Sequence, residues 1–212
     1  MGLRYWDISV PLYDGMLHWP SDPPVSITAY KEPEKGDRST VSLLSMGSHT
    51  GTHVDAPRHF LPGQGGVDEI AVEKLIGPCV VLDCRGRRTV KADVLRGVDM
   101  KATPRVLFRT DNSDHWWGEK FSDDFVGLEE ETALQLVAQG AVLAGVDSLS
   151  VEKRGAPSAA AHHALLGSGL VIVEGLNLSG IEPGVYQLFC LPLCIRHGDG
   201  APARAILARE NR

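Results

Sequence analysis

The sequence predicts an α/β protein built on a mixed sheet flanked by helices. Strand-like segments outnumber helical ones, and in the second half short apolar runs alternate with helical stretches. The length of 212 residues, with 43% hydrophobic content, suits a single domain spanning 1–212 around one sizeable core.

The elements follow in order. Val, Ile and aromatic content between turn-rich borders predicts strands at 5–12, 25–30, 40–46, 80–84 and 106–110. Further strands are predicted at 141–146, 170–174, 186–195 and 203–208; the first two are short apolar runs of the kind buried on both faces. A helix is predicted at 128–139, because Glu129, Glu130 and Glu131 suit the positive end of a helix dipole and Gly140 stands at the C-terminal cap position. Shorter helices are predicted at 91–96 and 159–166, and 62–66 and 196–202 read as surface loops.

Composition narrows the function classes. The 27 acidic and 21 basic residues give a formal charge of -6 with no basic run, which argues against nucleic acid as a partner. No segment reaches the roughly 18 apolar residues of a membrane helix, and the start lacks the basic flank and apolar run of a signal peptide. The expectation is a cytoplasmic protein acting on a small molecule, without membrane partners. Cys79, Cys84, Cys190 and Cys194 lack zinc-ribbon spacing and are expected to be free thiols; 190 and 194 are expected on one face of a strand.

The stretch that carries chemistry is His49-Thr-Gly-Thr-His53-Val-Asp55-Ala-Pro57-Arg-His59-Phe60. Its four metal-binding or proton-transferring groups all occupy odd positions, so on an extended chain they begin on one face. A straight strand would leave residues four apart about 13 Å from each other, whereas zinc-bound nitrogens lie about 2.0–2.1 Å from the ion. The backbone must therefore curl, and Gly51 and Pro57 supply a bend and a fixed exit. Without a thiolate, the set points away from a purely structural zinc and leaves zinc, manganese or iron(II), zinc first. Further along, Glu174 ends an apolar run where an unpaired carboxylate would be costly; metal coordination or a buried Arg such as Arg109 would resolve that.

This stretch resembles the signature of the cyclase family of metal-dependent hydrolases, which includes proteins similar to bacterial kynurenine formamidase. Trp6-Asp-Ile-Ser-Val-Pro-Leu12, Trp19-Pro-Ser-Asp-Pro23, Gly145-Val-Asp147, Val173-Glu174-Gly-Leu176, Leu191-Pro-Leu193 and Gly198-Asp-Gly-Ala-Pro202 extend the resemblance across nearly the whole chain. It implies a partly barrel-like sheet in a swivelling β/β/α-like fold. It also implies metal ligands at His49, His53 and Asp55, with Asp55 able to bridge two ions, and at a His and a Glu twelve residues apart. Here these are His162 and Glu174, with His163 the rival. The candidate catalytic residues are His59, for proton transfer, and Glu174, which doubles as a ligand. One or two Zn2+ ions are implied, or Mn2+, in a homodimer or homotetramer. Trp19 is the candidate substrate wall, with Trp6, Trp116 and Trp117 as further aromatic candidates.

The implied reaction is hydrolysis of an amide-type C–N bond, N-formylkynurenine first. The segment Val146-Asp-Ser-Leu-Ser-Val-Glu152 departs from the threonine- and proline-containing version associated with formamidases. That departure leaves open a cyclic amide or lactone as substrate, as in isatin hydrolase or dienelactone hydrolase. A non-catalytic metal-binding module is the third reading, and His59 speaks against it.

Overall fold

The computed structural model describes residues 2–115 and 121–210; Trp116 and Trp117 lie outside them. Ten strands appear among the described residues: β1 (Leu3–Asp7), β2 (Ser26–Lys31), β3 (Val41–Ser45), β4 (His53–Asp55), β5 (Ile76–Asp83), β6 (Arg105–Arg109), β7 (Leu143–Val146), β8 (Val171–Glu174), β9 (Gly184–Pro192) and β10 (Gly200–Glu210). The main sheet runs β1-β10-β4-β8-β7-β6-β5-β9, and β9 also pairs with β10. Seven strands therefore close into a ring, with β1 attached outside it. β5 to β8 are parallel neighbours and the other pairings are antiparallel, so the predicted mixed, barrel-like sheet is what forms. β2 and β3 form a separate antiparallel pair.

Alternation along the strands explains the two cores. Val81, Leu107, Leu143, Val173, Leu188 and Leu207, drawn from most strands of the ring, share the inner cluster. Their neighbours Val106, Phe108, Ala144, Val146 and Ile172 point outward and are covered by helices α3 (Glu130–Gln139) and α4 (Ala160–Gly167) through Leu136, Leu165 and Leu166. β6, β7 and β8 are buried at every position, as parallel strands covered on both faces must be. Two single-turn helices, α1 (Val72–Leu75) and α2 (Asn112–His115), occupy connections. Among the described residues no helix is long and apolar enough to cross a membrane.

The differences from expectation have local causes. The predicted strand 5–12 stops at Asp7, where the backbone N–H of Val10 turns to Thr52 Oγ1 at 2.9 Å. The helix predicted from 128 starts at Glu130, because Leu128 is held extended by its bond to Val151 and a bridge to Val90. The helix predicted at 91–96 is a 3-10 turn, Ala92–Leu95. The predicted loop 196–202 is a loop only in its first half: Gly200, Ala201 and Pro202 pair with Asp55, Val54 and His53. Strand β9 ends at Pro192, so Cys190 is buried and Cys194 is exposed beyond the strand; they share no face. All four cysteines are free thiols.

Candidate metal centre

Three local features fold residues 49–60. Gly51 takes φ +62°, and a Cβ there would lie 2.7 Å from Leu12 Cδ2, so the turn needs glycine. That turn folds His49 back onto β4 and brings the His49 and His53 rings to 5.1 Å between centroids. β4 then presents His53 and Asp55 on the face opposite the inward Val54, and its register sets His53 against Glu174 of β8. Pro57 ends the strand by opening a 3-10 turn, Pro57–His59, which stacks the His59 ring on His49 at 3.8 Å. Helix α4 supplies His162 from above, with Phe60 stacked against it at 4.3 Å.

The five side chains expected as ligands thus converge. Asp55 Oδ1 lies 2.8 Å from His49 Nδ1 and 3.3 Å from His53 Nε2, and Asp55 Oδ2 lies 3.9 Å from His162 Nε2. Glu174 reaches His53 Nε2 at 3.4 Å with one oxygen and His162 Nε2 at 3.3 Å with the other. Donors about 2.0–2.1 Å from a zinc ion at tetrahedral angles lie about 3.3–3.4 Å from each other. Three of these separations, 3.3, 3.4 and 3.3 Å, have that value. His163 is exposed and turned away, whereas His162 is 5% exposed.

Burial makes the arrangement costly unless positive charge is supplied. His53 and Asp55 are each 1% exposed, and His53 Nε2 and Asp55 Oδ2 are buried without a hydrogen-bond partner. Burial disfavours charge on His53 and His162, yet the facing carboxylates outweigh it and hold both imidazoles at about 10. Asp55, despite its burial, is held well below the usual carboxylate range by His49 and His53. A divalent cation compensates the same carboxylates, and two orphaned donors in an all-nitrogen and oxygen set fit one. Another group of acids with a histidine, Asp68, Glu69 and His197, lies at the surface.

The centre opens into a cavity of about 330 Å³ lined by Trp19, His49, His59, Glu152, His162 and Glu174 among others. Trp19 stands edge-on to Phe121 at 5.3 Å and to Phe125 at 6.3 Å. Trp6 is elsewhere, packed edge-on against Tyr186 at 5.5 Å. Arg109 is not the partner of Glu174: it donates to the Ile181 carbonyl at 2.5 Å.

A family model described as "Putative cyclase" matches residues 6–153 of the chain. The kynurenine formamidase of Salinibacter ruber is 36% identical over 208 residues, 95% of each chain. The chain belongs to the cyclase family. Among solved structures, one described as a predicted metal-dependent hydrolase from Bacillus stearothermophilus superposes with a TM-score of 0.85 at 29% identity, covering 99% of this chain and 100% of that one. Isatin hydrolase A from Ralstonia solanacearum shares the cyclase fold, with a TM-score of 0.83 at 24% identity and coverage of 98% and 92%.

Sequence reasoning missed two carboxylates that touch this cyclase-family centre and a third in the segment that leads to it. Glu152 accepts from His162 Nδ1 at 2.5 Å, and Asp199 from His49 Nε2 at 3.0 Å. Asp147, wholly buried, accepts from Thr110, Asn112 and Ser113. All three lie within the segments that carry the family resemblance, but nothing local in the chain marks which histidine or loop each will face.

Proposed function

We propose that this chain hydrolyses N-formylkynurenine or a closely related aryl formamide at a centre of one or two Zn2+ ions, with Mn2+ able to replace Zn2+. It is a metal-dependent hydrolase of non-peptide C–N bonds. The observation that carries the reading is the convergence of His49, His53, Asp55, His162 and Glu174 beside a cavity, with donor separations of 2.8–3.9 Å. Asp55 directs its two oxygens to opposite halves of the cluster, which supports a bridging role. The proposal includes a homodimer or homotetramer in the cytoplasm.

A bound divalent ion supplies an acidified water and polarises the scissile carbonyl. The chain's own residues do the remainder. Water's oxygen bonds to the formyl carbon, the C–N bond breaks, and the departing nitrogen takes a proton to leave as an amine beside formate. His59, exposed at the cavity rim and stacked on His49, is placed to pass that proton. Desolvation on its inner side lowers its pKa, so at neutral pH it is the free base that accepts a proton before donating it. Trp19 offers a flat apolar wall to an aromatic substrate.

A second reading, a cyclic amide or lactone as substrate, is favoured by one observation. Leu149, Ser150 and Glu152, from the segment that departs from the formamidase version, line the same cavity. Chelated protein reloaded with Zn2+ or Mn2+ and offered N-formylkynurenine and isatin in parallel separates the two. Faster turnover of the formamide is expected, faster opening of isatin selects the second reading, and hydrolysis of neither defeats both.

A further inference from the structure

Each of the three clustered imidazoles has one nitrogen facing the carboxylates and the other held from behind. His53 Nδ1 donates to the Gly51 carbonyl at 3.0 Å, His49 Nε2 meets Asp199 at 3.0 Å, and His162 Nδ1 meets Glu152 at 2.5 Å. A carbonyl only accepts, so His53 carries its proton on Nδ1 and offers Nε2 to an ion. Asp199 is half-exposed, whereas Glu152 is 6% exposed and makes the shortest of the three contacts.

We infer that Glu152 is a positioning residue that sets His162 for metal binding. Its carboxylate locks the proton on Nδ1, aims Nε2 at Glu174 and the ion, and makes that nitrogen a stronger donor. The geometry around it supports this beyond the one contact. Glu152 also accepts from the backbone N–H of Ala161 at 3.2 Å and of His162 at 3.4 Å, so ring and backbone are gripped by the same two oxygens. The preceding residue, Val151, donates its N–H to Glu174 Oε1 at 2.5 Å. Two adjacent residues of one loop therefore orient both the histidine and the glutamate that the later part of the chain brings to the centre.

This inference rests on the reading of the cluster as a metal centre, and the test keeps the two apart. Metal-free parent, Glu152→Gln and Glu152→Ala proteins are titrated with Zn2+ against a competing chelator. The alanine variant is expected to bind about 10- to 100-fold more weakly, as outer-shell partners of metal-bound histidines do. Glutamine keeps an acceptor but loses the charge, and is expected to fall between parent and alanine. In the zinc-loaded parent a downfield, slowly exchanging imidazole N–H resonance is expected from His162 Nδ1, and in the alanine variant it is absent. A helix-capping role alone would move the melting temperature but neither of these readouts. If the alanine variant does not fold, the glutamine variant decides. Parental zinc affinity in either folded variant overturns the inference while leaving the metal centre standing. Failure of the parent to bind zinc overturns both.

Discussion

Asp55 is the residue on which the two halves of the cluster meet, since one oxygen serves His49 and His53 and the other faces His162. If it bridges, replacing it with alanine removes a ligand from both sides at once. We expect Asp55→Ala to lower bound zinc, measured by elemental analysis, to about half or less, and kcat/KM by at least about 100-fold. Unchanged metal stoichiometry would exclude the bridge. His59 stands differently: it is exposed and stacked on His49 at the rim, although one of its nitrogens lies within 4.8 Å of donor atoms of His49 and Asp55. His59→Ala should keep its zinc while kcat falls by about 10² to 10⁴, the usual worth of a general acid or base. At this scale the first stretch was legible because its groups are close in the chain and share a parity. Glu152 and Asp199 were not, because their partners lie 10 and 150 residues away in sequence.

At the scale of elements, the loop after β7 holds the centre together. It links Asp147, buried beneath β6 and α2, to Val151 and Glu152 at the cluster. Burial pushes the Asp147 carboxyl up to about 6, although Thr110 and Ser113 donate to it and oppose the shift. An asparagine there would turn an amide N–H₂ toward donors that need an acceptor, and Asp147→Asn should cost about 2–3 kcal/mol in chemical denaturation. The pH dependence has a definite sign. With a folded pKa of about 6 against 3.8 for an ordinary aspartate carboxyl, the folded chain binds the extra proton between those values. The contribution of Asp147 to stability is therefore fully present below pH 3.8 and declines as pH rises to about 6. The parent's advantage over Asp147→Asn should shrink across that window and stay flat above it. A difference independent of pH would show that the donors fully offset burial. The elements themselves were largely legible, since β6 to β8 are apolar runs. β4 was read only as a curled ligand-bearing stretch, because it is three residues long and two of them are site residues.

At the scale of the molecule, closure of the ring could not be read from any one strand. It depends on β9 and β10 pairing with each other as well as with β5 and β4, and the cyclase resemblance was its sole signal in the sequence. The β2–β3 pair, standing apart from the ring, bears on assembly. β3 is exposed along its whole length, and Tyr30, Leu43 and Leu44 are 68%, 57% and 50% exposed. A two-stranded pair is marginal by itself, and apolar residues on both of its faces are costly in water unless another surface covers them. A second copy of the chain would cover them at the same stroke as it forms the dimer proposed above. Light scattering is expected to give at least twice the 22.9 kDa chain mass. A Leu43→Glu, Leu44→Glu double variant should shift that mass toward the monomer while circular dichroism stays unchanged, because neither side chain belongs to the ring's cores. A variant that remains as large as the parent would place the assembly surface elsewhere.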